Sequence, residues 1–506
     1  MDYLNMIPGS LTIDEIRRLS ETRMRISLDT SCWEKIKEAE EFVKKIVKKN
    51  QTVYGINTGF GLLANTSIPI NDLISLQRRI LLSHAAGIGE LLPDEIVKLI
   101  LLLKINSLGR GYSGIRRVVI ETLVQFYNHG IYPCIPAKGS VGASGDLAPL
   151  AHMSLPLIGE GTARYKGKII TGEKALKLIK KRPIELAPKE GLALINGTQV
   201  STAIAMFHLM HAQELLSASV VIGALTVDAA LGCDTAFQPQ IHEVRGQAGQ
   251  ILVARVLLDY LKDSEIRASH ENCDRVQDPY CLRCMPQVIG ACLDNIRHVE
   301  KILMIEVNAV TDNPLIFTEI DSVFSGGNFH AEPVAQAADF LAIALSEVGA
   351  IAERRIALLV DPHFNAGLPA FLTNNPGLNS GFMIGHVTAA ALASANKSLA
   401  HPASVDSLPT SANQEDHVSM ATHAAYRLKD IVENVQGILT IELLAACQGI
   451  ELRKPLKTSE KLAEIVSAVR EIIPFWDEDR YFALDLEKAK SLVEQIGKKY
   501  SLKVRT

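Results

Sequence analysis

The sequence predicts a mainly α protein: a bundle of long central helices joined to a smaller, mixed N-terminal domain. Two observations carry that prediction. From about Val200 onward, long segments are rich in Ala, Leu and Ile, as in Ala337-Ala338-Asp339-Phe340-Leu341-Ala342-Ile343-Ala344-Leu345, and helices apolar on most sides must be buried against one another. Before that point, shorter helical segments alternate with Gly-rich loops and one candidate strand pair at residues 162–170.

Taken in order, Thr12 followed by Glu15 reads as a capping box that opens a helix. Helices are expected at 33–48 and 94–107. The run Gly139-Ser140-Val141-Gly142-Ala143-Ser144-Gly145-Asp146-Leu147 leads from a permissive loop into a helix, with Asp146 near its start and Pro149 in its first turn. Further helices are expected at 201–230, 247–261, 287–310, 334–359, 388–400 and 417–448. A boundary near residue 200 gives two domains, 1–200 and 201–506.

Composition narrows the function classes. The 506 residues are 47% hydrophobic and 21% charged, values of an ordinary globular protein rather than a disordered one. Net charge is −4, and basic runs are as short as Lys44-Lys45 and Lys180-Lys181-Arg182, so neither nucleic acid nor a membrane surface is an expected partner. The most apolar stretch, residues 215–232, contains Asp228 and reads as a buried helix rather than a membrane span. The opening Met1-Asp2-Tyr3-Leu4-Asn5 lacks the basic start and apolar run of a secretory signal. With eight cysteines, the expectation is a cytoplasmic protein with reduced thiols. Cys281 and Cys284 form one C-x-x-C with Cys273 upstream, but no second pair stands at suitable spacing and no metal is expected.

Ala143-Ser144-Gly145 carries the most specific chemistry. If the Gly145 nitrogen attacks the Ala143 carbonyl carbon, a five-membered ring closes around Ser144. Loss of water, including the serine hydroxyl, leaves an electron-poor exocyclic methylene that no ordinary side chain supplies. Ala143 is small, and Gly145 tolerates strained backbone. Alone, such a tripeptide would be a loop before a helix. The whole string, continuing as Leu147-Ala148-Pro149-Leu150-Ala151, resembles the signature of the ammonia-lyase and aminomutase family that carries 4-methylidene-imidazol-5-one (MIO).

The resemblance implies roles for other residues. Tyr54 stands in the loop Gln51-Thr52-Val53-Tyr54-Gly55-Ile56-Asn57-Thr58-Gly59-Phe60-Gly61, which in this family covers the active site and supplies a base. A free tyrosine has a pKa of about 10, so a base near neutrality needs a depressed value. Asn196 matches a residue beside the electrophile and the substrate carboxylate. Gln277, Tyr280 and Arg283 share one segment, in which the arginine suits a bidentate grip on a carboxylate and Tyr280 is a second candidate for proton handling. Phe329 matches an active-site aromatic. These positions are far apart in sequence, and the resemblance implies a homotetramer in which each site draws on three subunits.

Two further places bear on the substrate. Leu81-Leu82-Ser83-His84-Ala85-Ala86-Gly87-Ile88-Gly89 and Ser411-Ala412-Asn413-Gln414-Glu415-Asp416-His417 resemble the histidine-specific members of the family. An imidazole needs hydrogen-bonding partners such as His84 and Glu415, whereas a pocket for a phenyl ring would not contain a desolvated carboxylate. The resemblance thus implies deamination of L-histidine to trans-urocanate and ammonia, opening histidine degradation. The alternatives are a tyrosine or phenylalanine ammonia-lyase or aminomutase, and a catalytically silent helical scaffold. One departure stands out: Phe382-Met383-Ile384-Gly385-His386-Val387 has Gly-His where Ala-Gln is expected of a histidine enzyme.

Overall fold

The computed structural model describes residues 3–49, 51–59, 61–270, 276–500 and Leu502, with the backbone alone at Leu62. Phe60 and Cys273, named above, and Arg275, which opens the segment of Gln277, Tyr280 and Arg283, lie outside the described residues. The protein is mainly α, with its longest helices at Gln199–Ala229, Met285–Val307, Glu332–Val360 and Leu428–Leu452. It divides into two compact units. The first comprises Met1–Phe207, Glu300–Asp339 and Pro402–Tyr426; the second comprises His208–Val299, Phe340–His401 and Arg427–Thr506. Where the sequence suggests one boundary near residue 200, the chain leaves the first unit after Phe207, re-enters it at Glu300 and does so again at Pro402.

In the first unit the helix Ile13–Glu21 opens on the expected capping box, with Glu15 N donating to Thr12 Oγ1 and Thr12 N donating to Glu15 Oε2. Tyr3–Met6 pairs in parallel with Arg25–Leu28. The candidate strand pair forms as Thr162–Tyr165 against Lys168–Thr171, and Ile131–Pro133 extends it to three strands. The Asp94–Gly109 helix is buried along nearly its whole length, because its Leu and Ile residues cover every side rather than one stripe.

The segment expected to be helical over 417–448 starts late. Ala421–Tyr426 is its first helical turn, and Met420 adopts a left-handed φ of 55°. The residues before it hold another loop instead: Ser419 Oγ donates to the Gly142 carbonyl and Met420 N to the Val141 carbonyl. Three helices, Gln199–Ala229, Glu332–Val360 and Ala421–Leu452, are long and apolar enough to cross a membrane, and most of each apolar window is buried within the protein.

In the second unit, Met383–Leu399 and Phe482–Lys499 both pack on Leu428–Leu452. Arg355 and Glu442 form a bidentate ion pair there at 2.5 and 2.8 Å, with neither side chain exposed, and Thr226 Oγ1 donates to the same carboxylate at 2.8 Å. Removing one partner strands the other charge. Glu442→Ala is therefore expected to cost about 3–5 kcal/mol, read as a lower thermal unfolding midpoint. Replacing both Arg355 and Glu442 by methionine should cost far less; equal losses would show that the pair's charge is immaterial.

Candidate active site

Three helices of the first unit, Leu73–His84, Leu147–Ser154 and Glu190–Ile195, pack against one another. Each presents one chemical group at an end. His84 closes the first, Ser144 lies in the loop just before the second, and Asn196 follows the third. The Gln199–Ala229 helix begins directly beyond Asn196.

The Ala143-Ser144-Gly145 loop is fixed from several directions. Asn196 Nδ2 donates to the Ser144 carbonyl at 2.7 Å. Gly145 bridges Gly197 with φ of 73°, and a Cβ there would stand 2.3 Å from the Gly197 carbonyl oxygen. Gly142, at φ 66°, has Ser419 Oγ where a Cβ would fall, also at 2.3 Å. Only glycine relieves both the left-handed backbone and the close approach. Such a loop fits the group that the sequence implies: its residues are small, its backbone turns tightly, and the Ser144 carbonyl already has a donor.

Asp146 anchors this loop in a way the sequence does not reveal. It is wholly buried and makes no side-chain cap on its own helix. Its Oδ2 accepts instead from Val200 N, Ser201 N and Ser201 Oγ at 2.8–3.0 Å, capping the Gln199–Ala229 helix. Its Oδ1 accepts from Ser140 Oγ at 2.9 Å and Thr422 Oγ1 at 2.6 Å. The expectation placed Asp146 at the start of the helix that follows it in sequence. The tertiary fold gives its carboxylate to a neighbour that offers free N–H groups.

Glu415 reaches the same loop. Ser144 Oγ donates to its Oε1 at 2.5 Å, while Thr410 Oγ1 and Ser411 Oγ donate to Oε2 at 2.6 and 3.0 Å. Ser411, Ala412 and Asn413 all have left-handed φ, 52°, 54° and 66°, a run of backbone strain of the kind that accumulates at functional sites. Burial pushes the Glu415 carboxyl up, but hydrogen bonds from Ser144, Thr410 and Ser411, with nearby His84, outweigh it and hold the carboxyl below its ordinary range. His84 is shifted down by burial, only partly offset by the Ile80 backbone and by Glu415, so its imidazole is neutral at neutral pH. Ser83 Oγ shares a hydrogen bond with His84 Nδ1 at 3.0 Å.

A cavity of about 1210 Å³ gathers Tyr54, His84, Ser144, Asn196, Phe329 and Glu415 on its walls, together with Ala143. Phe329 is half-buried, in a turn whose approach is tied down by Asn313: Gly326 N donates to Asn313 Oδ1 and Asn313 Nδ2 to Ser325 Oγ. His330 and His417, which the sequence does not single out, also line the cavity and stack at 5.7 Å with an angle of 8° between rings. The depressed pKa that a tyrosine base needs is not found at Tyr54. Burial pushes its phenol up, and the charge of Glu415 adds to that, against a weaker backbone hydrogen bond from Gly61.

Gln277, Tyr280 and Arg283 belong to the second unit and do not line this cavity. Tyr280 is 71% exposed, and the Arg283 guanidinium lies 4.5 Å over its ring, with Nε donating to the Asp278 carbonyl. Gln277 is exposed beside them. Cys281 and Cys284 carry free thiols. The Gly385-His386 departure has a local account in the same unit. A Cβ at Gly385 would stand 2.8 Å from the Phe482 ring, and His386 Nε2 bonds Glu353 Oε1 at 2.9 Å.

A fold of long helices and a glycine-locked Ala-Ser-Gly loop, facing a carboxylate and an imidazole, define a class, and the model of the aromatic amino acid lyases matches residues 11–471. The chain belongs to that family. It is 58% identical over 497 residues to the histidine ammonia-lyase of Vibrio cholerae serotype O1, covering 98% of this chain and 97% of that one. To the histidine ammonia-lyase of Pseudoalteromonas atlantica it is 59% identical, with 96% and 95% covered. Histidine ammonia-lyase from Trypanosoma cruzi superposes with a TM-score of 0.90 at 41% identity, covering 99% and 96% of the two chains. Tyrosine aminomutase from Streptomyces globisporus superposes with a TM-score of 0.92 at 32% identity and 98% coverage of each. Two differently named activities thus share one backbone to similar accuracy, and substrate choice must rest on side chains.

Proposed function

We propose that the chain removes ammonia from L-histidine and releases trans-urocanate, the reaction that opens histidine degradation, with Ala143, Ser144 and Gly145 forming the MIO group. The observation that carries this reading is the meeting of Glu415, His84 and Ser144 in one cavity. That carboxylate and that imidazole suit a ring with two nitrogens and are a poor lining for a phenyl ring. MIO supplies an electrophile that binds the substrate amine and makes it a better leaving group. Around it, the residues of the chain bind, orient and move protons.

Asn196 Nδ2 holds the Ser144 carbonyl oxygen, and its buried Oδ1 has no partner among the described residues, leaving an acceptor for the substrate's amine. His84, neutral and held by Ser83, and Glu415, ionised, take the two imidazole nitrogens. Elimination breaks the Cα–N bond, and the Cβ proton passes to a base. Tyr54 is the candidate inside the cavity. Because burial raises its pKa within one chain, the base role needs a cation brought close to the phenol. The exposed Tyr280 and the half-buried Arg283 over its ring supply both a cation and a second phenol if a neighbouring subunit brings them in. This supports a homotetramer with shared sites, in which Arg283 grips the substrate carboxylate, with Gln277 and Phe329 completing the binding surface. On this reading the enzyme works in the cytoplasm.

The test is to incubate the purified protein with L-histidine, L-tyrosine and L-phenylalanine and to identify the products. Urocanate and ammonia from histidine alone support the reading. A β-amino acid or a cinnamate as the main product would point to an aminomutase or another lyase of the family, and no product together with an unshortened mass to a silent scaffold. Glu415→Gln, which keeps the shape but loses the charge, is expected to lower kcat/KM for histidine by about 10²-fold, the scale of a charge-assisted hydrogen bond lost in a desolvated site. Unchanged kcat/KM would remove Glu415 from imidazole recognition.

A further inference from the structure

Lys104 sits in the middle of the buried Asp94–Gly109 helix and is 1% exposed. No step above uses it. Removing an ammonium from water is costly unless a partner compensates, and the neighbouring buried cation, Lys189, has one: Asp312 Oδ2 at 3.1 Å. Lys104 has no carboxylate at ion-pair distance among the described residues. Its Nζ donates instead to the Asn196 carbonyl oxygen at 2.8 Å and reaches Gln199 Oε1 at 3.4 Å. Gln199 is held from its other end, with Nε2 donating to Thr311 Oγ1 at 2.9 Å. Burial drives the Lys104 amine down to about 7, against the opposing pull of Asp312 and Asp146.

Asn196 is thereby gripped at two points. Its backbone carbonyl takes Lys104, and its side-chain Nδ2 is committed to the Ser144 carbonyl. The next residue, Gly197, bridges Gly145, and its carbonyl accepts from Asp146 N at 2.8 Å. One buried amine thus sets the backbone from which both the Asn196 carboxamide and the Gly145 contact are hung. We infer that Lys104 is a positioning residue for this active site: it holds the Asn196-Gly197 backbone so that the Asn196 side chain is aimed at the Ser144 carbonyl and the loop is held for ring closure. A long, flexible side chain is what lets a group rooted in the helix core reach that carbonyl. The inference rests on the function proposed above for Ser144 and Asn196.

The experiment compares the wild-type chain with Lys104→Met, Asn196→Ala and the double variant. Three quantities are read: the intact mass, which falls by two waters on ring formation and dehydration; the near-UV absorbance; and kcat and KM on histidine. Lys104→Met keeps most of the length and volume while removing the amine, and its circular dichroism is expected to match wild type. Its processed fraction should fall, or its kcat per processed chain should drop at least about tenfold with KM little changed, as for a misplaced group rather than a lost binding contact. In the Asn196→Ala background the same substitution should cost clearly less than in wild type, because the part of its effect that runs through the Asn196 carboxamide is already lost and only the part through the Gly197–Gly145 contact remains. Wild-type processing and kcat in Lys104→Met overturns the inference, as does full additivity with Asn196→Ala. If Lys104→Met does not fold, Lys104→Gln, which retains a donor in a smaller side chain, carries the comparison. Loss of fold in both also overturns it, since Lys104 then serves the core alone. Should wild type yield no urocanate, the proposed reaction fails separately, and the mass still reports on Lys104.

Discussion

The Ser144→Ala chain is expected to fold and to retain the mass of its unprocessed sequence, with no near-UV band from the ring and a loss of histidine turnover on the order of 10⁴-fold or more, the scale on which removal of a covalent catalytic group acts. The fold should survive because, among the described residues, the hydroxyl makes one hydrogen bond, to Glu415 Oε1. The contacts that shape the loop are made by backbone: Asn196 to the Ser144 carbonyl, Gly145 to Gly197, and Ser419 to the Gly142 carbonyl. None of them needs the serine side chain. Glu415 offers a second readout. With its pKa depressed in the folded chain, its hydrogen bonds stabilise the fold above the ordinary carboxylate range, and that contribution is lost as pH falls through the depressed value. Deleting the Ser144 donor moves the carboxyl upward, so acid unfolding of the variant should begin at a higher pH than that of a chain caught before ring closure. Turnover within tenfold of wild type would remove Ser144 from the chemistry altogether.

The parts of this site that were legible in the sequence are those whose chemistry is local. A glycine-flanked Ala-Ser-Gly is readable because ring closure involves three consecutive residues, and the left-handed φ at Gly142 and Gly145 follows from residue type. His84 and Glu415 were legible as a pair only through resemblance; the cavity brings both to Ser144 across long sequence separations. The long helices were readable from apolar length, and their ends were read less well. The 417–448 segment gives up its first turn because Ser419 and Met420 bond the loop at residues 141–142, a tertiary demand that local periodicity does not record. Lys104 was invisible for the same reason: in sequence it is one lysine among apolar neighbours, and only the fold brings the Asn196 carbonyl to its amine. Tyr54 shows the converse. The resemblance implied a base, but the environment within one chain raises its pKa, because burial outweighs the hydrogen bond from the Gly61 backbone and the charge of Glu415 adds to the rise.

Asp146 is where a substitution should damage fold and chemistry together. Asp146→Ala would orphan four donors, the backbone N–H groups of Val200 and Ser201 and the hydroxyls of Ser140 and Thr422, while the Ser201 hydroxyl keeps the Thr198 carbonyl at 3.1 Å. All but Ser140 are buried residues, and each buried donor left without an acceptor costs about 1–3 kcal/mol. Loss of the cap on the Gln199–Ala229 helix is part of that sum, about 1 kcal/mol on its own. Relaxation and entering water will recover some of it, so a net loss of about 3–5 kcal/mol is expected, the range for breaking a buried charged network. Asp146→Asn keeps the shape and one carbonyl acceptor but turns two acceptor positions into donors, and should fall between wild type and alanine. Because the same carboxylate joins the loop to Thr422 and to the helix that begins beyond Asn196, both variants should also process more slowly by intact mass. Slow processing at an unchanged unfolding midpoint would mean that Asp146 acts on the ring chemistry directly. A lowered midpoint with normal processing would mean that it only caps a helix. The geometry predicts that the two fall together, in the order wild type, Asn, Ala, since one carboxylate makes both sets of bonds.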